Sequence, residues 1–166
     1  MSLALHDATG RCLDRRATAL AVGTNAVATA EPVTLAVPHD ATDLLVLDAT
    51  VADHRSRRLL SRTATLEPMR RLARAELAVT LTGEGDSWTV QVRVTGTVAA
   101  VEVRLDDARP VGWPERTGAA YLDANVVTLL PGESRAIGVE WRDVPPKDRR
   151  LRLGAWNVEE RVVADG

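Results

Sequence analysis

The sequence predicts an all-β protein made of two antiparallel β-sandwiches in tandem. Three observations carry that expectation. Apolar and polar residues alternate with a period of two along most of the chain, and helical spacing is nearly absent. In addition, 8 prolines and 11 glycines punctuate the alternating runs at short intervals. Strands with one buried and one wet face read this way because successive side chains point to opposite sides of a sheet.

The second half of the chain alternates most strictly. SWTVQVRVTG sets Trp88, Val90, Val92 and Val94 on one face and Thr89, Gln91, Arg93 and Thr95 on the other. VEVRLDD opposes Val101, Val103 and Leu105 to Glu102, Arg104 and Asp106, and ELAVTLTG aligns Leu77, Val79 and Leu81. Strands are expected at 75–82, 87–95, 98–106, 120–130, 134–142 and 150–158, which make one sandwich over 75–166. Within YLDANVVTLLPGESRAIGVEW, Pro131-Gly132 fits a type II turn: proline presets φ near −65° and glycine takes the positive φ that follows. Residues 121–130 and 134–141 then read as the two arms of a hairpin.

The first third reads less cleanly. LALHD and CLDRRATALAV flank the turn Asp7-Ala8-Thr9-Gly10, and PVTLAVP aligns Val33, Leu35 and Val37. DLLVLDATVAD and RRLLSRTATL form a hairpin about Asp53-His54-Arg55-Ser56, so roughly five strands are expected over 1–66. The alternation pauses at Glu67, and residues 67–74 read as a linker between the domains. Only here, in EPMRRLARAEL, does the spacing fit a helical turn or two, with Pro68 near its start.

Composition removes several function classes. A formal charge of −2 and a pI near 5.9 leave no nucleic-acid footprint and no basic membrane face. No run of about 18 apolar residues spans a bilayer, and MSLALHDATG lacks the basic and apolar segments of a signal peptide. Cys12 is the only cysteine, which excludes an internal disulfide and a Cys-based metal site. His6, His39 and His54 are isolated from one another, so no metal and no cofactor are expected. Gly83-Glu84-Gly85-Asp86 reads as a hairpin turn, not a phosphate cradle, because no helix follows it.

One stretch resembles a known family. Asn125, an apolar run, and then Leu129-Leu130-Pro131-Gly132-Glu133-Ser134 are similar to the last immunoglobulin-like domain of glycoside hydrolase family two, of the β-mannosidase and exo-β-glucosaminidase type. VAAVEVRLDDARPVGWPE resembles the strand and loop that precede that hairpin in the family. LRLGAWNVE resembles the final strand, with Trp156 and Asn157 in its terminal cluster. DATGRCLDRR and DATVADHRSRRLLSR look like two hairpins of the preceding sandwich, so the resemblance covers nearly the whole chain. It departs from the family where Asp, Asn and an aromatic usually precede the apolar run; here Ala124, Asn125 and Val126 stand.

The resemblance implies immunoglobulin-like sandwiches and structural roles for Asn125, Leu129, Leu130, Pro131, Gly132 and Glu133, as for Trp156 and Asn157. It also implies a parent enzyme that cleaves a β-glycoside with two carboxylates about 5 Å apart, at strand ends of a (β/α)₈ barrel. The strand–helix alternation of such a barrel appears nowhere in these 166 residues. The chain is therefore expected to be a non-catalytic C-terminal accessory fragment whose partners are the catalytic and other domains of the parent. The choice between mannoside and glucosaminide belongs to the absent barrel.

Side chains with chemistry have plain structural readings beside the functional ones. Asp123, Glu133 and Glu140 contain a conceivable carboxylate pair, but Asp123 and Glu133 fit exposed positions near a hairpin better. Asp106-Asp107 lacks a third oxygen-rich ligand for a cation. Trp88 and Trp141 share the phase of the core, and Trp156 is expected to pack at a sandwich edge or against a neighbouring domain. Trp113, in a loop before Pro114, is the candidate ring for carbohydrate contact. Two further classes stay open: a carbohydrate-binding module, and an immunoglobulin-like adhesion or spacer domain. Finally, an immunoglobulin-like sandwich wants about seven strands, and the family's corresponding domain opens with a hairpin ahead of the strand that LALHD resembles. The first domain is thus expected to be truncated, with an open apolar face that favours a homodimer.

Overall fold

Strict alternation becomes sheet nearly everywhere. The computed structural model describes residues 1–24, 26–63, 67–109 and 118–163, and its contacts divide the chain into two units, Met1–Arg71 and Leu72–Gly166. The division falls inside the segment 67–74, where α1 (Glu67–Arg70) makes a single turn closed by Arg71 N–H on the Glu67 carbonyl at 3.1 Å.

The first unit is one antiparallel sheet of β1 (Ser2–Asp7), β2 (Cys12–Ala17), β3 (Leu44–Val51) and β4 (His54–Ser61), in the order β2-β1-β3-β4. Leu5, Ala41 and Leu45 form its core, with Leu13, Leu35 and Leu47 packed around them. Four strands form among the described residues where about five were expected. PVTLAVP is not a strand, because its groups are engaged otherwise: Leu35 lies on the apolar cluster, and Ala36 N–H donates to Asp14 Oδ2 at 2.8 Å. Prolines at both ends remove donors that a ladder needs. The β3–β4 turn is also tighter than expected. Val51 pairs with His54, leaving Ala52-Asp53 as the turn, with Ala52 at φ +52°, so that His54, Arg55 and Ser56 belong to β4.

Asp48 of β3 carries the charge network of this sheet. Its Oδ1 accepts from Arg57 Nε at 2.6 Å and its Oδ2 from Arg57 Nη2 at 2.7 Å. Arg55 Nη2 donates to the same Oδ2, and His6 Nε2 stands 3.7 Å away. Burial alone would raise the Asp48 carboxyl, but the Arg57 and Arg55 guanidiniums outweigh it and hold it below its ordinary 3.8. A carboxyl depressed in the folded state stabilises fully above its unfolded value. That contribution fades as pH falls through the lower folded value. The stability difference between the wild type and Asp48→Asn is therefore expected to be largest at pH 5 and above, and to shrink steadily below about pH 4. Thermal melts of both proteins from pH 6 to pH 2 check this; a difference that does not change with pH would refute it.

The second unit is a two-sheet sandwich. One sheet orders β5 (Leu77–Glu84), β6 (Ser87–Val94), β10 (Ser134–Arg142) and β8 (Ala119–Leu122) side by side; the other orders β12 (Val158–Val163), β11 (Leu151–Ala155), β7 (Ala100–Asp107) and β9 (Val127–Leu129). Their facing sides supply the core: Val90, Val92, Ile137 and Val139 from one sheet, and Val103, Leu105, Leu151 and Leu153 from the other. Trp88 and Trp141 are both buried in it, ring edge to ring face with centroids 5.1 Å apart. Buried Arg149 ties the β5–β6 turn down, donating to the carbonyls of Gly85 and Val144 and to Asp86 Oδ1.

Two stretches expected as single strands of this unit are divided. Residues 120–130 are not one strand. β8 pairs with β10, β9 pairs with β7, and the chain changes sheets between them. Residues 150–158 likewise contain a turn at Trp156-Asn157, with Ala155 paired to Val158, and β12 runs on beyond it.

Candidate functional site

The segment that crosses between sheets carries the motif read from the sequence. After β8, Asp123 still holds β10, with its N–H on the Gly138 carbonyl at 3.1 Å and its Oδ1 accepting Gly138 N–H at 2.9 Å. Asn125 then captures β7 of the other sheet. Its Oδ1 accepts Leu105 N–H at 3.0 Å and its Nδ2 donates to the Leu105 carbonyl at 3.0 Å, as a strand neighbour would. The same Oδ1 accepts Val126 N–H at 2.9 Å, and Val126 is held at φ +56°. A β-branched residue in that region is strained. Val126→Gly is accordingly expected to stabilise the second unit by about 1 kcal/mol, read as a higher midpoint in urea. A lower midpoint would show that the exposed valine side chain contributes more than its backbone costs.

The turn expected at Pro131-Gly132 forms. Gly132 has φ +81°, and Glu133 N–H donates to the Leu130 carbonyl at 3.0 Å. It is not the tip of a hairpin. β9 enters it from one sheet and β10 leaves it in the other, so the turn is a corner of the sandwich. Glu133 braces the corner through Oε2, which accepts Leu130 N–H at 2.8 Å, while Val94 at the end of β6 exchanges hydrogen bonds with Glu133 and Gly132. Leu129 and Leu130 are buried beneath it.

A second cluster of side chains serves a bulge in β7. The β7–β9 register shifts between Ala100 and Val103, and Glu102 sits at φ +54°. Asn157, itself buried, accepts Val101 N–H on Oδ1 at 3.1 Å and donates through Nδ2 to the carbonyls of Ala73 and Ala99, each at 2.9 Å. Thr128 Oγ1 accepts Glu102 N–H at 3.2 Å, and Trp156 N–H reaches the Val101 carbonyl at 2.9 Å. The Trp156 side chain, at the β11–β12 turn, is 48% exposed.

The carboxylates do separate jobs. Asp123 and Glu133 accept backbone N–H groups, whereas Glu140 pairs with Arg142 at 2.9 Å, and that guanidinium holds its carboxyl below the ordinary range. Arg142 in turn lies 4.4 Å from the centroid of the Tyr121 ring. Asp107 pairs with buried Arg109 and Asp106 with Arg104. Among the described residues no three His, Cys, Asp or Glu side chains cluster to hold a metal ion. Cys12 is exposed at the start of β2. Trp113 lies outside the described residues.

This two-sheet arrangement with its braced corner is what the model of one protein family covers: the exo-beta-D-glucosaminidase Ig-fold domain matches residues 57–158, more than half of the chain. The chain belongs to that family. The matched span opens inside β4 and closes on the first residue of β12. No curated protein sequence matches the chain. Among solved structures, the Ig-fold chain is similar to the exo-chitosanase CsxA of Amycolatopsis orientalis, at 19% identity and a TM-score of 0.69. It is also similar to a variant of that enzyme in complex with PNP-beta-D-glucosamine, at 20% identity and a TM-score of 0.66. Each match covers 99% of this chain and 23% of the other, so the fold is shared along nearly the whole chain while the chain spans about a quarter of the relatives' length.

The motif residues at the corner were legible because proline and glycine announce a turn wherever it lies. The bulge was not. Val101, Val103 and Leu105 alternate through it without interruption, and only Asn157, some fifty positions later, supplies the group that holds it open.

Proposed function

We propose that this chain is a non-catalytic accessory part of a longer retaining β-glycosidase that acts on β-glucosaminides. The observation that carries the reading is the family match at 57–158, joined to a fold shared over 99% of the chain with an enzyme more than four times its length. Among the described residues the regular elements are strands, apart from α1 and a 3-10 turn at Pro146–Asp148, with no strand–helix alternation of a barrel, so the paired carboxylates of such an enzyme are assigned to another domain. The role left to this chain is to support that domain. A parent of the β-mannosidase type is the second reading, favoured only by the sequence resemblance.

The test compares two proteins, this chain and its full-length parent, on aryl β-glucosaminide and aryl β-mannoside. The chain alone is expected to hydrolyse neither, and the parent is expected to release the aryl group from the glucosaminide. Turnover by the purified chain that vanishes in Glu133→Gln would overturn the accessory role. A parent active only on the mannoside would overturn the substrate.

A further inference from the structure

The outer face of the sheet formed by β12, β11, β7 and β9 gathers one large ring and an ordered set of charges. Leu153 and Ala155 of β11 pack toward the core, so Arg152 points outward, and Trp156 in the turn after β11 is exposed. Opposite them on β7, Gly154 pairs with Arg104 and Arg152 with Asp106, while Glu102 stands at the Trp156 end. Ion pairs fix the charged side chains in place: Arg152 Nε to Glu160 at 2.7 Å, and Arg104 Nε to Asp106 at 3.4 Å. Gly154 between them is buried beneath these side chains: a Cβ there would lie 3.6 Å from Glu160 Cγ and 4.0 Å from Arg104 Nε.

Glu102 differs from the other charges. It has no ion-pair partner among the described residues, and the bulge presents it at φ +54°, braced by Thr128 and by the hydrogen bonds of its neighbour Val101. A non-glycine residue kept in that conformation by side-chain hydrogen bonds has its direction fixed by the surrounding structure. It stands on the same face as a tryptophan that is 48% exposed.

We propose that this face binds a β-linked oligosaccharide carrying protonated amines. The Trp156 ring offers an apolar surface to a sugar ring and a favourable π-face to a cation. Glu102 supplies the opposite charge, and the ion-paired Arg104, Glu160 and Arg152 groups offer hydrogen bonds to hydroxyls. The amine rests on the reading that the parent acts on β-glucosaminides; the ring and the hydrogen-bonding groups do not depend on it.

The experiment titrates the chain with the β-1,4-linked tetramer of glucosamine, with its N-acetylated form and with β-1,4-mannotetraose, followed by calorimetry and tryptophan fluorescence. Saturable binding of the amine form is expected, weakened at least about tenfold by Trp156→Ala. Glu102→Gln should abolish its preference over the acetylated form. Arg104→Ala, which removes an exposed side chain from a surface ion pair, should weaken binding while the melting temperature holds, so a Trp156 variant that unfolds does not decide the matter. Absence of binding up to about 10 mM, or equal affinity in all three variants, would overturn the proposal. Equal affinity for all three sugars would overturn its amine requirement. Hydrolysis by the parent is a separate readout: a parent that cleaves glucosaminides beside a chain that binds none leaves the reading standing and removes only this site.

Discussion

Val92→Asp is expected to unfold most of the second unit. Val92 has no exposed surface, pairs with Val79 and Arg135 on its two neighbouring strands, and packs inside the largest apolar cluster of the chain. An aspartate there buries a charge with no partner, a change of several kcal/mol against a total of about 5–15 kcal/mol for a typical domain. One residue on, Arg93 is exposed and lies between Ala78 and Ser134, so Arg93→Asp should shift stability by about 0.5 kcal/mol or less. Intrinsic fluorescence reads the difference, because the buried Trp88 and Trp141 sit in the core of the second unit. Equal shifts for the two variants would mean that the inward and outward phases of β6 are reversed.

Asn157→Ala is expected to have the next largest effect, about 3–5 kcal/mol. The side chain makes three hydrogen bonds at 2.9–3.1 Å and is 7% exposed. Its removal strands Val101 N–H and two carbonyls, and each buried polar group left without a partner costs about 1–3 kcal/mol. Thr128→Ala, which removes the acceptor of the exposed Glu102 N–H, should cost about 1 kcal/mol and serves as the control. Urea midpoints of the two variants compare them directly. Near-equal midpoints would show that the bulge does not need Asn157.

Much of the fold lay open in the sequence because its determinants are local. Alternation placed β5, β6, β7 and β10 to within a few residues, and the core side chains Trp88, Val90, Val92 and Trp141 are buried as their phase required. What stayed hidden was set by partners remote in the chain. The apolar run after Asn125 looks continuous with β8, and only its capture by Leu105 of the other sheet divides it. PVTLAVP alternates as well as any true strand, yet Asp14 and the cluster around Leu45 claim it. Trp156-Asn157 carries neither glycine nor proline, so the last hairpin gave no turn signal of the usual kind. For the candidate site the asymmetry is the same. The Leu129–Ser134 corner was visible as a motif, whereas the setting of Glu102 depends on residues 26 and 55 positions away.

The corner at Pro131-Gly132 also fixes the order in which the second unit can assemble. A hairpin turn closes a ladder between its own two arms and so forms early. This turn joins β9 and β10, whose partners are β7 on one side and β6 and β8 on the other, so beyond its own Leu130–Glu133 hydrogen bonds it closes no ladder until both sheets exist. Among the described residues of the second unit only β5–β6 and β11–β12 are neighbours joined by short turns; pairings such as Val90 with Ile137 and Leu105 with Leu153 close long loops. Folding dominated by distant pairings runs on the order of milliseconds to seconds. Gly132→Ala meets no atom within 4 Å and acts only through its positive φ, so it should speed unfolding and leave the folding rate nearly unchanged. The most legible turn in the sequence is therefore among the last parts of the structure to matter kinetically.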